Sequence, residues 1–282
     1  MRRVVSISMI AVLVVAAGAC ARITPETPAA GNNITPMVNR VRPAVVTVVT
    51  YNINRDVQGI GSGFFINDQG HLITNHHVLR NAYAADIKTN DGRKFSIEGV
   101  VSENEARDLI KVIVPQAAGR IPFITISRDE PVIAERVVVV GSPLGLEKTV
   151  SEGIVSAIRD LPGVGRIYQL SAPISQGSSG GPVVNRQGLV IGIVSFQSVM
   201  GQNLNFAVSA LEIFEMTAKK TPQRLSEWTL SRGKRRPGVA EALCKQGFIF
   251  SLEGNYLEAL RFYREATEKS PNDADAWVGL GG

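Results

Sequence analysis

The chain has 282 residues, 44% hydrophobic and 20% charged, with a formal net charge of +5. That length is enough to bury one substantial core or two, and the apolar fraction excludes a disordered chain. Two cysteines are too few for a disulfide framework, and a charge of +5 gives no support to a nucleic-acid role.

At the start, Arg2 and Arg3 precede an apolar stretch, Val4 to Ala17, and Ala17-Gly18-Ala19 supplies the small residues that a signal peptidase needs. A membrane span takes about 20 residues, more than this run offers, so residues 1–20 are expected to be a signal peptide and the protein to be exported. Cys20 directly follows Gly18-Ala19 and resembles the lipobox of bacterial lipoproteins, with Ala17 where leucine is usual. That resemblance implies a lipid on Cys20 and anchoring to a membrane; the alternative is ordinary cleavage near Ala19. Residues 21–36, with three prolines among small and polar residues, are expected to be a tether.

From Ala44 to Val199 the apolar segments are short and β-branched, as in Ala44 to Val49, Val137 to Val140 and Leu189 to Val194. Gly, Pro, Asn and Asp bound them, the pattern of an all-β sandwich or barrel. Inside this region Gly177-Ser-Ser-Gly-Gly-Pro-Val-Val-Asn185 sets Ser179 on a glycine-flanked turn, where main-chain N–H groups can converge on one point. A serine hydroxyl needs a base, and the base needs an acid to hold its tautomer. The chain has three histidines, His71, His76 and His77, all within one short segment. Glu103, Glu105 and Asp108 lie between them and the serine. Asp108 is the best placed, at the junction of a polar loop and the apolar run Leu109 to Val114, although Asp is also a common turn residue. The order His, Asp, Ser is one of the known triad orders.

Taken together, Leu72 to Leu79, Asp108 to Val114 and Gly177 to Asn185 resemble the catalytic motifs of trypsin-fold serine proteases of the bacterial HtrA/Deg type. Gly61 to Ile66, Gly141 to Gly145, Thr149 to Ala157 and Asn203 to Val208 resemble lesser segments of the same family. The resemblance covers roughly Met37 to Ala218 and implies a mainly β fold, a trypsin-like pair of six-stranded barrels, one ending near Arg128 and one near Val208, with the site in the cleft between them. It implies His77 rather than His76 as base, Asp108 as the orienting acid and Ser179 as nucleophile. The N–H groups of Gly177 and Ser179 would form the oxyanion hole. It also implies a primary pocket with Pro173 at its floor, Ile174 nearby, and an edge strand, Ser195-Phe196-Gln197, that pairs with substrate. With no acid at the floor, a modest apolar side chain is expected there and no preference for Lys or Arg. The implied substrates are polypeptides, with no metal or organic cofactor, in the periplasm or cell envelope. Relatives of this type form oligomers, and nothing between Ala21 and Val41 specifies an assembly. Activity should rise with pH through a histidine titration, about 6.5 for an unperturbed side chain.

Residues 219–238 carry Arg232, Lys234, Arg235 and Arg236 before Pro237 and are expected to be a basic, solvated linker. Beyond it Ala240, Ala242, Leu243 and Gly247 recur as Ala274, Ala276, Trp277 and Gly281, a spacing of 34 residues that is the tetratricopeptide period. Gly254-Asn-Tyr256 is expected to turn between two helices, and Ala259, Tyr263 and Ala266 to share one face. Residues 239–282 are therefore expected to form a small α-helical tetratricopeptide segment, one repeat and the opening of a second, that recruits substrate or a protein partner. The whole is expected to be an exported serine endopeptidase, the alternative being a catalytically latent, protease-like scaffold or binding protein.

Overall fold

The structure is a computed structural model that describes residues 33–141, 149–161, 165–175, 177–197, 205–232, 239–252 and 255–270. The signal segment, Cys20, most of the tether, the glycine loop after Gly141 and the second repeat lie outside the described residues.

Helix α1 (Thr35–Val41) enters the core by burying Met37, Val38 and Val41. Seven strands follow: β1 (Val45–Tyr51), β2 (Val57–Phe65), β3 (His71–Asn75), β4 (Ala84–Lys88), β5 (Lys94–Ser96), β6 (Gly99–Asn104) and β7 (Leu109–Ile113). The short helix α2 (His76–Leu79) interrupts them after β3. The next six are β8 (Arg136–Gly141), β9 (Thr149–Leu161), β10 (Gly165–Leu170), β11 (Pro182–Asn185), β12 (Val190–Gln197) and β13 (Asn205–Ser209). They close into a six-stranded barrel in the order β10-β13-β12-β11-β8-β9.

The first half departs from the expected six-stranded barrel. It is an eight-stranded sheet, the seven strands β1 to β7 joined by a short strand β14 (Gln223–Arg224) that returns from beyond the second barrel and pairs with β6, Gln223 opposite Val100. The expected linker at 219–238 is accordingly folded over residues 219–232. Helix α3 (Leu225–Ser231) drives Leu225 and Trp228 into the first-barrel core at 3% and 1% exposure. Lys219 N–H donates to the Val101 carbonyl at 2.8 Å, and Leu225 N–H to that of Glu98 at 3.1 Å. Burial of two large apolar groups outweighs the solubility of the surrounding charges, each contributing roughly 1.5–3 kcal/mol.

Strand alternation sorts the side chains into three cores. Val46, Val48, Leu72, Ile110 and Val112 point into the first half. Their strand neighbours Val45, Ile73 and Leu109 point the other way, onto Val138, Val140, Val184, Ile193 and Val208 of the second. The second barrel is filled by Val137, Val139, Tyr168, Leu170, Val183 and Val194. The shared middle core fixes one half against the other, and with it residues contributed by β3, β7 and β12.

Helices α4 (Val239–Leu252) and α5 (Tyr256–Lys269) pack together, with Ala240 on Ala266 and Phe250 on Ala259 and Tyr263. Gly247 allows their close crossing, since a Cβ there would lie 3.1 Å from the Ala259 carbonyl oxygen and the Tyr263 ring. Asn255 caps α5 by accepting from Glu258 N–H.

Candidate active site

The end of β3 and the start of α2 clasp Asp108 from three sides. Asn75 Nδ2 and the His76 N–H both donate to its carbonyl at 3.0 Å. His77 N–H donates to Oδ1 at 2.8 Å, and His77 Nδ1 lies 2.6 Å from Oδ2. Asp108 itself sits at the end of the turn between β6 and β7 with φ of 54°, a left-handed conformation that Asp tolerates better than most side chains. The clasp explains why that conformation persists.

A further donor comes from the second barrel: Ser195 Oγ donates to Asp108 Oδ2 at 2.9 Å. Burial pushes the Asp108 carboxyl up, but the two His77 contacts and the Ser195 hydroxyl overcome it and hold the group below its ordinary value. The carboxylate therefore stays ionised at neutral pH beside an imidazole that is 40% exposed. His76 is wholly buried and turned away from Asp108, with Nε2 3.4 Å from Glu103 Oε2.

Ser179 lies on a tight loop built from two turns, Ser178 N–H to the Ser175 carbonyl and Gly181 N–H to that of Ser178. Gly177 and Gly180 have φ of 90° and 85°, where a side chain is strained. At Gly180 a Cβ would also come within 2.2 Å of the Ser62 carbonyl oxygen, so the loop can lie directly on β2. Ser62 pins it there: its Oγ donates to the Gly177 carbonyl at 2.6 Å and its N–H to that of Ser179 at 2.8 Å. Thr74 Oγ1 donates to the Ser62 carbonyl at 2.7 Å and ties the same point to β3. Among the described residues, no acceptor takes up the N–H groups of Gly177 and Ser179. The Ser179 hydroxyl donates to the Ser195 carbonyl at 3.2 Å, and among the described residues no hydrogen bond joins it to His77.

The expected pocket residues are divided. Pro173 is exposed, its carbonyl accepting from Ser151 Oγ at 2.6 Å, and Ile174 packs half-buried on the second-barrel core. The backbones of Phe196 and Gln197 run in β12 opposite Phe206 and Asn205, while their side chains lie outside the described residues. Ser195, expected as part of the substrate-pairing edge, spends its side chain on Asp108. That contact and the role of Ser62 were not expected; the one signal for Ser62 is its neighbour Gly61, where a Cβ would lie 3.3 Å from the Ser179 carbonyl oxygen.

The signature of a trypsin-like peptidase domain matches residues 61–193. Serine protease HTRA1 of Xenopus laevis is 31% identical over 235 residues, 79% of this chain and 50% of that protein. Serine endoprotease DegS of Escherichia coli K12 is 33% identical over 181 residues, 60% of this chain and 50% of that one. Among solved structures, a serine endoprotease from Yersinia pestis superposes with a TM-score of 0.58 at 30% identity, covering 65% of this chain and 64% of its own. The HtrA-type protease AlgW with a tripeptide gives 0.58 at 28% identity, covering 65% and 62%. Residues 61–193 thus match a trypsin-like peptidase domain, and the chain is similar to serine proteases of the HtrA/DegS type. It spans about half the length of the curated relatives it matches.

Proposed function

We propose that the protein is an exported serine endopeptidase in which Ser179 attacks the scissile carbonyl, His77 takes its proton and Asp108 holds the imidazole. The observation that carries this reading is the 2.6 Å contact from His77 Nδ1 to a carboxylate that Ser195 also holds, beside a serine loop in which the Gly177 and Ser179 N–H groups meet no acceptor among the described residues. In the first step the N–H groups of Gly177 and Ser179 receive the carbonyl oxygen as it gains charge. His77 then passes its proton to the leaving amine, and water repeats the sequence on the acyl-enzyme. In the resting arrangement the Ser179 hydroxyl donates to the Ser195 carbonyl, an acceptor that an incoming substrate N–H can take over, freeing the hydroxyl for His77.

The same resting bond favours a second reading, a latent protease-like protein whose nucleophile engages its base only when substrate or a partner arrives. Under the first reading Pro173 and Ile174 line a primary pocket for a modest apolar side chain. The helix pair, as a tetratricopeptide repeat, recruits a polypeptide, and the signal segment delivers the protein to the periplasm or envelope, with a lipid on Cys20 as its anchor. A fluorophosphonate probe tests the core of this. Labelling of wild type, mapped to Ser179 and absent from Ser179→Ala, is expected, with a peptide-library profile that lacks an Arg or Lys peak. Well-folded protein that labels only after polypeptide is added would favour the latent reading, and labelling elsewhere would sink both.

A further inference from the structure

One partly buried cluster touches both segments that carry His77 and Asp108. Its centre is Glu103, near the end of β6. Glu103 Oε2 accepts from Trp228 Nε1 at 2.8 Å and lies 2.9 Å from Arg232 Nη2 and 3.4 Å from His76 Nε2. Its Oε1 lies 3.2 Å from Lys219 Nζ. The His76 ring packs edge-on to the Trp228 indole with centroids 5.3 Å apart, and Arg232 lies over that indole at 5.1 Å.

The position of these contacts in the chain is what gives them a role. His76 is covalently next to His77, and its buried ring fixes the rotation of the first turn of α2, from which His77 projects. Glu103 and Glu105 stand on either side of the entry to the turn that ends in Asp108, whose N–H donates to the Glu105 carbonyl at 3.0 Å. Arg232 spans both, reaching Glu105 Oε2 at 2.7 Å, and Arg80 at the end of α2 lies 3.7 Å from Glu105 Oε1. One short segment, α3 with Arg232, therefore grips the base-bearing helix through His76 and Arg80's partner Glu105, and the acid-bearing turn through Glu103 and Glu105. A surface helix needed only for stability could bury Leu225 and Trp228 anywhere along the barrel. This one ends on both halves of the His77–Asp108 pair, at the point where the chain leaves for α4 and α5.

We infer that His76, Glu103, Trp228 and Arg232 are positioning residues that hold His77 and Asp108 in register, making catalytic geometry depend on the docking of the post-barrel helix. The inference rests on the proposed His77–Asp108–Ser179 chemistry. None of the four touches substrate: each acts by restricting how far the clasp on Asp108 can shift. Because a displacement of about 1 Å at a reacting group can cost a hundredfold, small motions of α3 suffice to modulate turnover. Anything that pulls on residues beyond Arg232, including a polypeptide bound to the helix pair, then acts on kcat.

The test uses the full chain with His76→Asn, Glu103→Gln and Arg232→Ala, and with Tyr168→Phe as a control that loses only the buried bond to Ser209 Oγ in the second barrel. Steady-state cleavage of a short peptide is measured beside thermal midpoints and the downfield proton resonance of the His77 Nδ1–H. Expected for the three cluster variants is a kcat lowered by roughly ten- to a hundredfold, an unchanged KM, and a shifted or broadened His77 resonance. The control should match their loss of thermal stability without either change. Cluster variants that lose stability like the control yet keep kcat and the resonance would overturn the inference and leave the catalytic reading intact. Glu103→Gln keeps the size of the side chain, so it reports even if His76→Asn does not fold. Failure of wild type to label at Ser179 would strike the catalytic reading itself, and the His77 resonance, which needs no turnover, would still show whether the cluster holds the pair.

Discussion

Two histidines adjacent in sequence end in opposite surroundings. His77 keeps 40% of its side chain exposed, while His76 is fully buried between Trp228 and Glu103. Each stands beside a carboxylate that burial pushes up and that donors pull down. The company differs. Asp108 is held by a backbone N–H, a serine hydroxyl and one partly exposed imidazole. Glu103 is held by the buried His76 ring and the Trp228 N–H and, in addition, by the charges of Arg232 and Lys219, which Asp108 lacks. Access and neighbours, rather than residue type, separate a histidine suited to chemistry from one suited to anchoring.

The sharpest way to break this comparison is to remove one member from each side. Ser179→Ala, His77→Ala and Asp108→Asn are each expected to lower kcat by about four orders of magnitude or more, because such groups act as a unit. Asp108→Asn should do so with the fold intact, since the amide favours the wrong tautomer of His77. Peptide cleavage by variants with matched thermal midpoints checks this. A His76 variant more damaged than His77→Ala would reverse the assignment.

A smaller effect is expected where the second barrel reaches across. Ser195→Ala removes one hydroxyl donor from Asp108 Oδ2 while leaving the backbone of β12 in place. A hydrogen bond to a charged group contributes on the order of 1.5–3 kcal/mol, so a fall of about tenfold in kcat is expected if half of that is felt in the transition state. Unchanged kcat would mean that the two His77 contacts alone orient the acid.

What was legible in the sequence follows the range of the forces involved. Ser179 and its flanking glycines, and the histidine pair after an apolar strand, announce themselves because tight turns and strand ends are local matters. The strands of the second barrel were legible too, as short β-branched runs between turn residues. The post-barrel segment was not. Its arginines and lysines dominate the composition, while the two side chains that dock it, Leu225 and Trp228, are spaced as one helical turn within a helix of seven residues. Strand β14 is two residues long, too short for any periodic signal. Ser195 could be placed on a strand by pattern, but which partner its hydroxyl meets is decided by the packing of one half on the other.

The last effect is one of stability, and it separates the two carboxylates by their pH response. The environment of Glu103 lowers its pKa from an ordinary 4.5 to about 2: burial opposes this, and the His76 and Trp228 contacts with the charges of Arg232 and Lys219 overcome it. A carboxyl depressed on folding stabilises the native state above its unfolded pKa, and that contribution is lost as pH falls toward the folded value. Discounted for solvent screening, Glu103 should therefore contribute on the order of 1–2 kcal/mol at neutral pH, fading between about pH 4.5 and about pH 2. In a domain of this size that corresponds to a midpoint shift of roughly 2–8 °C. Thermal scans of wild type and Glu103→Gln from pH 7 to pH 2.5 check it: the two midpoints should converge as the acid limb is entered, because the glutamine has no charge left to lose. Parallel curves would mean that the cations around Glu103 are satisfied equally well by an amide, and the cluster would then owe its hold on α3 to the Trp228 and His76 rings rather than to charge.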